Sequence, residues 1–229
     1  APRWSMERVP GMARIAAGDF RGAKRIARRN VRILADAVRQ GYTVVATEPA
    51  AALCLKREYV HLLGDEDART VAENTMEACQ YLWDLHQQNR LSLDFETIAA
   101  EVAYHQPCHI RAIDAGNAGP RLMELIPGLS VQPVERGCSG MAGTWGLERK
   151  NYRNSLRIGW PLITAMRKHT AHAAATECST CKMQIEHGSG RSTLHPIKLL
   201  AHAYGRLPGF EKELRMTPVR QGPAQSQRT

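Results

Sequence analysis

Residues 172–182, His-Ala-Ala-Ala-Thr-Glu-Cys-Ser-Thr-Cys-Lys, pass from a short strand at His172–Thr176 straight into a helix opening at Glu177 that carries Cys178 and Cys181. A helical pattern over Asn151–Lys168 leads into this strand, so the local order is helix, strand, helix. That order returns upstream. Residues 22–40 set Ala23, Ile26, Ala27, Leu34, Ala37 and Val38 on one helical face, with Gly41 as the stop. Tyr42–Thr47 then reads as a strand, and Glu48-Pro49 opens a helix through AALCLKREY. A shift of 129 positions lays Ala46-Thr47-Glu48 on Ala175-Thr176-Glu177 and Ile33-Leu34 on Leu162-Ile163, which points to an internal duplication. Under this shift Pro49 and Ala52 occupy the places of Cys178 and Cys181, so the first copy lacks the C-x-x-C of the second.

Between these blocks the pattern predicts a helix across VAENTMEACQYLWDL (71–85) and a polar junction at Arg90–Thr97. Strands follow at Val102–His105 and Leu129–Val134, with a helix at Pro120–Ile126 between them. Alternating strands and helices imply an α/β fold with parallel sheets flanked by helices and functional groups on loops at the carboxyl ends of strands. The expected division begins with 1–102 as a degenerate first repeat, whose opening APRWSMERVPGM has no initiator Met and reads as incomplete. It continues with 103–206 for the second repeat and 207–229 for a flexible tail ending GPAQSQRT.

The chain has 229 residues, 43% hydrophobic and 23% charged, with a formal net charge of +9 and six cysteines. No apolar run approaches the roughly 20 residues of a membrane-crossing helix. Arg21, Lys24, Arg25, Arg28, Arg29 and Arg32 fall along one amphipathic segment with few aromatics between them, which reads as a solvated helix face and implies no nucleic-acid partner. A chain this long has no need of disulfide staples, and a C-x-x-C in a reducing compartment reads as metal or redox chemistry, placing the protein in the cytoplasm.

Four thiols lie in the second copy, each after a strand: Cys108, Cys138, and Cys178 with Cys181. In a parallel sheet such loops share one edge, so these thiols can converge. Cys178 at a helix start favours thiolate, the form that binds metal. By itself the C-x-x-C leaves three readings open: a redox cluster, a structural zinc, and a dithiol with no metal. Cys54 and Cys79 sit among apolar residues and read as core. His105 and His109 flank Cys108 as supporting hydrogen-bond donors, His195-Pro196 reads as packing at a helix start, and Trp145 and Trp160 could shield a buried group from water.

The stretches HQPCH (105–109), CSGMAGTWG (138–146), TECSTCKMQIE (176–186) and HPIKLLAHAYG (195–205) resemble the cysteine-rich CCG domain family. That family includes the B subunit of heterodisulfide reductase, the C subunit of anaerobic glycerol-3-phosphate dehydrogenase and the iron–sulfur subunits of glycolate and lactate oxidation systems. The glycerol-3-phosphate dehydrogenase type is the nearest in pattern. The resemblance implies two tandem Rossmann-like repeats and a cluster or zinc held by Cys108, Cys138, Cys178 and Cys181. It also implies an electron path from FAD on a partner flavoprotein, oxidising glycerol 3-phosphate or a 2-hydroxy acid, through ferredoxin-type iron–sulfur domains toward quinone. A peripheral seat on the inner membrane belongs to the same expectation. Two departures stand out. Cys138-Ser139-Gly140 replaces Cys-Cys-Gly, so Ser139 stands where a fifth thiol of a noncubane cluster is expected. Four thiolates suit one [4Fe–4S] cluster or a tetrahedral zinc equally by count, with Ser139 as an additional donor. The second departure is that no ferredoxin C-x-x-C-x-x-C-x-x-x-C-P motif occurs.

Overall fold

A computed structural model describes residues 11–215. The APRWSMERVP segment and the tail from 216 onward lie outside the described residues. The elements run α1 (Met12–Ala16), α2 (Phe20–Arg39), β1 (Val44–Ala46), α3 (Pro49–Leu53), a π-helical turn at Cys54–Glu58, α4 (Tyr59–Leu63), α5 (Glu66–Glu73), β2 (Thr75–Glu77) and α6 (Ala78–Gln87). There follow β3 (Ala100–Tyr104), α7 (Cys108–Ala112), α8 (Ala118–Glu124), β4 (Leu129–Pro133), a 3₁₀ turn at Trp145–Leu147, α9 (Tyr152–Lys168), β5 (Ala173–Ala175), α10 (Ser179–Ser189), β6 (Thr193–Leu194), α11 (Pro196–Ala203) and α12 (Glu211–Arg215).

The strands form two parallel sheets, β1-β2 and β4-β3-β5-β6, flanked by helices as the alternating pattern requires. In the larger sheet the chain leaves β3 to one side for β4 and returns to its other side for β5. The switch of direction therefore falls between β3 and β5, where open α/β sheets form a crevice beyond the strand ends. β5 is three fully buried alanines, the composition of a strand covered on both faces. Its bounds lie 129 positions beyond those of β1 (173 − 44 and 175 − 46), and in both places a long helix precedes the strand. The smaller sheet has two strands against four, so the two halves are not equal copies.

Helix α2 starts where the Asp19 carboxylate accepts from Gly22 N at 2.9 Å, buries Ala23, Ala27, Val31 and Ala35, and gives way to Gly41 at φ +86°. The helix expected across 71–85 is broken by β2, because Thr75–Glu77 pairs with Val44–Ala46 and tertiary pairing overrides the helical pattern. Glu77 then caps α6 by accepting from Cys79 N at 2.8 Å and Gln80 N at 3.2 Å. Cys79, at the start of α6, packs in one core with Val102, Leu122, Leu194 and Leu199, so burial crosses the expected boundary at 102. The expected flexible tail is ordered over its first stretch: Phe210 and Leu214 join that same core, supplying apolar anchors that composition alone undervalued.

Candidate metal centre

Three loops leave the carboxyl ends of β3, β4 and β5, and each brings a thiol. After β3, Pro107 sets an extended residue before α7, and Cys108 is the first residue of that helix. After β4 the chain passes Gly137 (φ +74°) and Cys138 to Gly140 (φ +88°). After β5, Cys178 occupies the N-cap of α10 and Cys181 lies within its first turn. Loop 139–140 lies directly on α9: a Cβ on Gly140 would stand 2.1 Å from Ser155 O, and one on Gly159 would stand 2.2 Å from Ser139 O. Two glycines, facing each other across this contact, fix how far Cys138 can reach into the crevice.

The thiols meet in two pairs. Cys108 lies beside Cys138 and Cys181 beside Cys178, and within each pair the first keeps the proton that the second gives up. The pairs also face each other closely enough for the Cys178 charge to act on both Cys108 and Cys138. Cys178 is the thiolate of its pair, held far down at about 3 by the Cys181 thiol and, beyond opposing burial, by His109, Thr180 and the Cys181 amide. Cys138 is lowered to about 6, first by Cys108 and also by the Gly140 amide, whose nitrogen is 3.2 Å from the sulfur. Cys108 and Cys181, which keep the protons, are pushed up by those same partners and by burial. Cys178 and Cys181 are 3% and 5% exposed whereas Cys108 is open to solvent, so the site has a deep pair and a rim pair. Among the described residues no group of three or more His, Cys, Asp or Glu side chains is gathered tightly enough to hold a single metal ion.

The other residues named from the sequence take distinct places. Ser139 Oγ lies 3.2 Å from Cys181 Sγ, on the deep pair. His109 lies close enough to Cys178 to help hold its pKa down. His105 is buried with its Nε2 unpartnered and is held neutral by burial, its pKa lowered to about 4. His195 caps α11 by accepting from Ile197 N at 3.1 Å, and its Nε2 meets Thr47 O at 3.2 Å. Trp145 lines a small apolar hollow with Cys138 and Ile158. Trp160 shields nothing: it is 54% exposed, under the Arg167 guanidinium. Cys54 is buried among Ala27, Val31, Tyr59 and Val71, away from the three loops.

Glu48 escaped the sequence reading. From the first half of the chain its carboxylate accepts from Ser179 N at 3.0 Å, capping α10 beside Cys178. Burial, and then the Cys178 charge, raise it to about 7. The signal was the 129-position match itself, which pairs Glu48 with Glu177. Glu177 is buried too, accepting from Tyr104 OH at 2.9 and 3.1 Å, and so close to Gly119 that a Cβ there would stand 1.9 Å from its oxygen.

Burial, and then the neighbouring Glu77, raise Glu177 from 4.5 to about 8. The folded chain therefore keeps a proton that the unfolded chain releases, and stability declines as pH rises through that window, by about 1.4 kcal/mol per unit at most. The lowered Cys138 acts oppositely, so the comparison that isolates the carboxyl is between variants. Glu177→Gln is expected to gain on the wild type as pH rises from 5 toward 8. Urea unfolding of metal-free protein at several pH values measures it, and a constant difference between the two proteins would contradict the buried charge.

Residues 102–186 match the model of the cysteine-rich domain family CCG. The chain is 32% identical over 200 residues to the C subunit of the anaerobic glycerol-3-phosphate dehydrogenase of Escherichia coli strain K12, covering 87% of this chain and 50% of that protein. It is 28% identical over 166 residues to the D-2-hydroxyglutarate dehydrogenase of the same strain, covering 70% of this chain and 15% of that one. The same-named protein of Pantoea ananatis is 24% identical over 197 residues, 83% of this chain and 18% of its own length. The chain thus spans at most about half the length of these curated relatives.

Proposed function

We propose, from the premise that residues 102–186 form a cysteine-rich CCG domain, that this chain is an iron–sulfur electron-transfer part of a flavin-dependent dehydrogenase. The observation that carries this reading is the approach of two thiol pairs, brought by three separate loops, at the switch point of the larger sheet. Cys108, Cys138, Cys178 and Cys181 would be the ligands. The donor set fits: two of these sulfurs already favour the thiolate, and amide and imidazole groups point at them. Division of the thiols into a deep pair and a rim pair supports a polynuclear [4Fe–4S] cluster, whose irons lie apart, over a tetrahedral zinc at one point. Such a cluster supplies one-electron chemistry when bound.

The chain's own residues set the conditions for it. Burial of Cys178 and Cys181 keeps water from one side, while exposure of Cys108 leaves a face for a partner. Ser139, beside Cys181, and His109, beside Cys178, tune those sulfurs by hydrogen bonds, and Glu48 holds the helix that presents them. In this reading Ser139 takes the fifth thiol's place as a hydrogen-bonding group. Residues 1–102 act as a first repeat that has lost its ligands, Pro49 and Ala52 standing in for the two cysteines. The partner is a flavoprotein oxidising glycerol 3-phosphate or a 2-hydroxy acid, with a ferredoxin-type domain carrying electrons on. The exposed arginines of α2 (Arg21, Arg25, Arg28, Arg29, Arg32) give the basic face that a peripheral membrane seat needs. Among the described residues no helix is long and apolar enough to cross a membrane.

Protein purified without oxygen is expected to be brown, to hold iron with acid-labile sulfide, and to bleach on reduction. A colourless protein with one zinc per chain would establish the other reading, in which the same thiolates only tie loops together.

A further inference from the structure

Beside the thiols, a cavity of about 580 Å³ opens at the carboxyl ends of β3 and β4. Its volume lies within the range of small-molecule sites. Three of its lining side chains are arginines from three different segments: Arg111 on α7, Arg121 on α8 and Arg136 in the loop after β4. Among the described residues none of the three forms an ion pair with a carboxylate, although seven ion pairs are made elsewhere. Arg121 lies over the Trp83 ring at 5.3 Å, and Arg136 reaches a backbone oxygen at 3.3 Å. Arg111 also acts on the Cys138 sulfur; guanidinium groups with no carboxylate partner around a concave surface are the usual means of recognising carboxylate or phosphate, which they bind through paired N–H groups.

The neutral groups of the wall point the same way. Gln106 is held by bonds from its Nε2 to Gly116 O at 2.9 Å and Asn117 Oδ1 at 3.2 Å, so its amide is fixed at the cavity. His105, 2% exposed, also lines the cavity, and its Nε2 is buried with no partner. An unsatisfied buried polar atom is unfavourable, and a bound group offering a hydrogen bond would offset that. Glu124 and Glu135 stand on the same rim and oppose an anion, leaving the arginines in excess by three to two.

We infer that this cavity binds a small organic anion bearing a carboxylate or phosphate group, held by Arg111 and Arg121 with Arg136 at its mouth. The wall of His105 and Gly137 runs next to Cys108 and Cys138, so the anion sits against the rim of the thiol site without touching the deep pair. The inference does not depend on the metal, and the full chain can be tested whether or not a cluster is present.

Isothermal titration of the full chain with succinate, with inorganic phosphate, and with glycerol as the neutral control is the test. One of the two anions is expected to bind saturably, and the better of them identifies the recognised group. Arg111→Ala with Arg121→Ala should weaken that binding at least tenfold, Arg136→Ala alone should weaken it less, and Glu135→Gln should tighten it. Arg29→Ala, on the exposed face of α2, should leave it unchanged. The inference is overturned if neither anion saturates, if glycerol binds equally well, or if Arg29→Ala weakens binding as much as the cavity variants do. Iron content measured on the same samples keeps this result separate from the electron-transfer reading, since either can fail while the other stands.

Discussion

Cys178→Ala, produced and purified without oxygen, is expected to lose essentially all of its iron and labile sulfide, while Cys54→Ala keeps both. The two cysteines are similarly buried, at 3% and 0% exposure, so general damage to a core does not separate them. What separates them is company. Cys178 sits at the start of α10, where the Cys181 amide favours negative charge, and lies beside Cys181, His109 and Thr180, all of which hold its thiolate. Cys54 is packed in apolar surroundings where burial and Glu58 drive its thiol up to about 12, the protonated and weakly ligating form. Its replacement should cost only about 1 kcal/mol of stability, the ordinary core penalty. Iron and sulfide per chain, alongside a thermal melt, read both effects. Equal loss of iron in the two variants would show that the first half of the chain still holds a ligand.

Gly140→Ala is expected to be among the most damaging single-methyl changes available in this protein. The residue has φ +88°, and its new Cβ would stand 2.1 Å from Ser155 O and 2.9 Å from Gly159 N, both backbone atoms that cannot swing aside. Left-handed strain and overpacking together should cost about 2–5 kcal/mol. Gly159→Ala meets the same contact from the other side, 2.2 Å from Ser139 O, but on a helix where alanine is itself favourable. Both should lower the unfolding midpoint and displace Cys138, so metal content should fall with stability. Gly137→Ala supplies the contrast. That glycine has φ +74° but meets nothing within 4 Å, so only the backbone strain applies, and its effect should be the smaller. Denaturant unfolding of the three variants ranks them, and equal midpoints for Gly137→Ala and Gly140→Ala would rule out the close approach as the cause.

The helix–strand–helix units were legible because their signals are local: the one-sided apolar face and Gly41 stop of α2, and the short apolar run of β5 before the helix that carries Cys178 and Cys181. The three loops could be ordered from the same reading, since each thiol follows a strand. β2 was not legible. Thr75–Glu77 is three residues inside a helical pattern, and it becomes a strand only because β1 lies alongside it. The role of Phe210 and Leu214 was hidden for a related reason, as two apolar residues in a polar stretch say little until a core stands next to them. Glu48 is the clearest case in the site. Its bond to Ser179 spans 131 positions, so nothing near it in sequence shows the helix it caps. The arginines of the cavity were equally dispersed, each ordinary in its own stretch of chain and joined only by the sheet edge.

One inner strand of the larger sheet, β5, is all alanine, while the sulfurs of the proposed centre come from loops and helix starts beyond the strand ends. The proposed chemistry therefore falls to residues whose loss leaves the pairing of the strands untouched. On the proposed reading, a lineage bearing this scaffold is free to shed a thiol, or to exchange it for a hydroxyl as proposed at Ser139, without first giving up a foldable protein. Evolvability of the centre and durability of the framework come from the same separation in space.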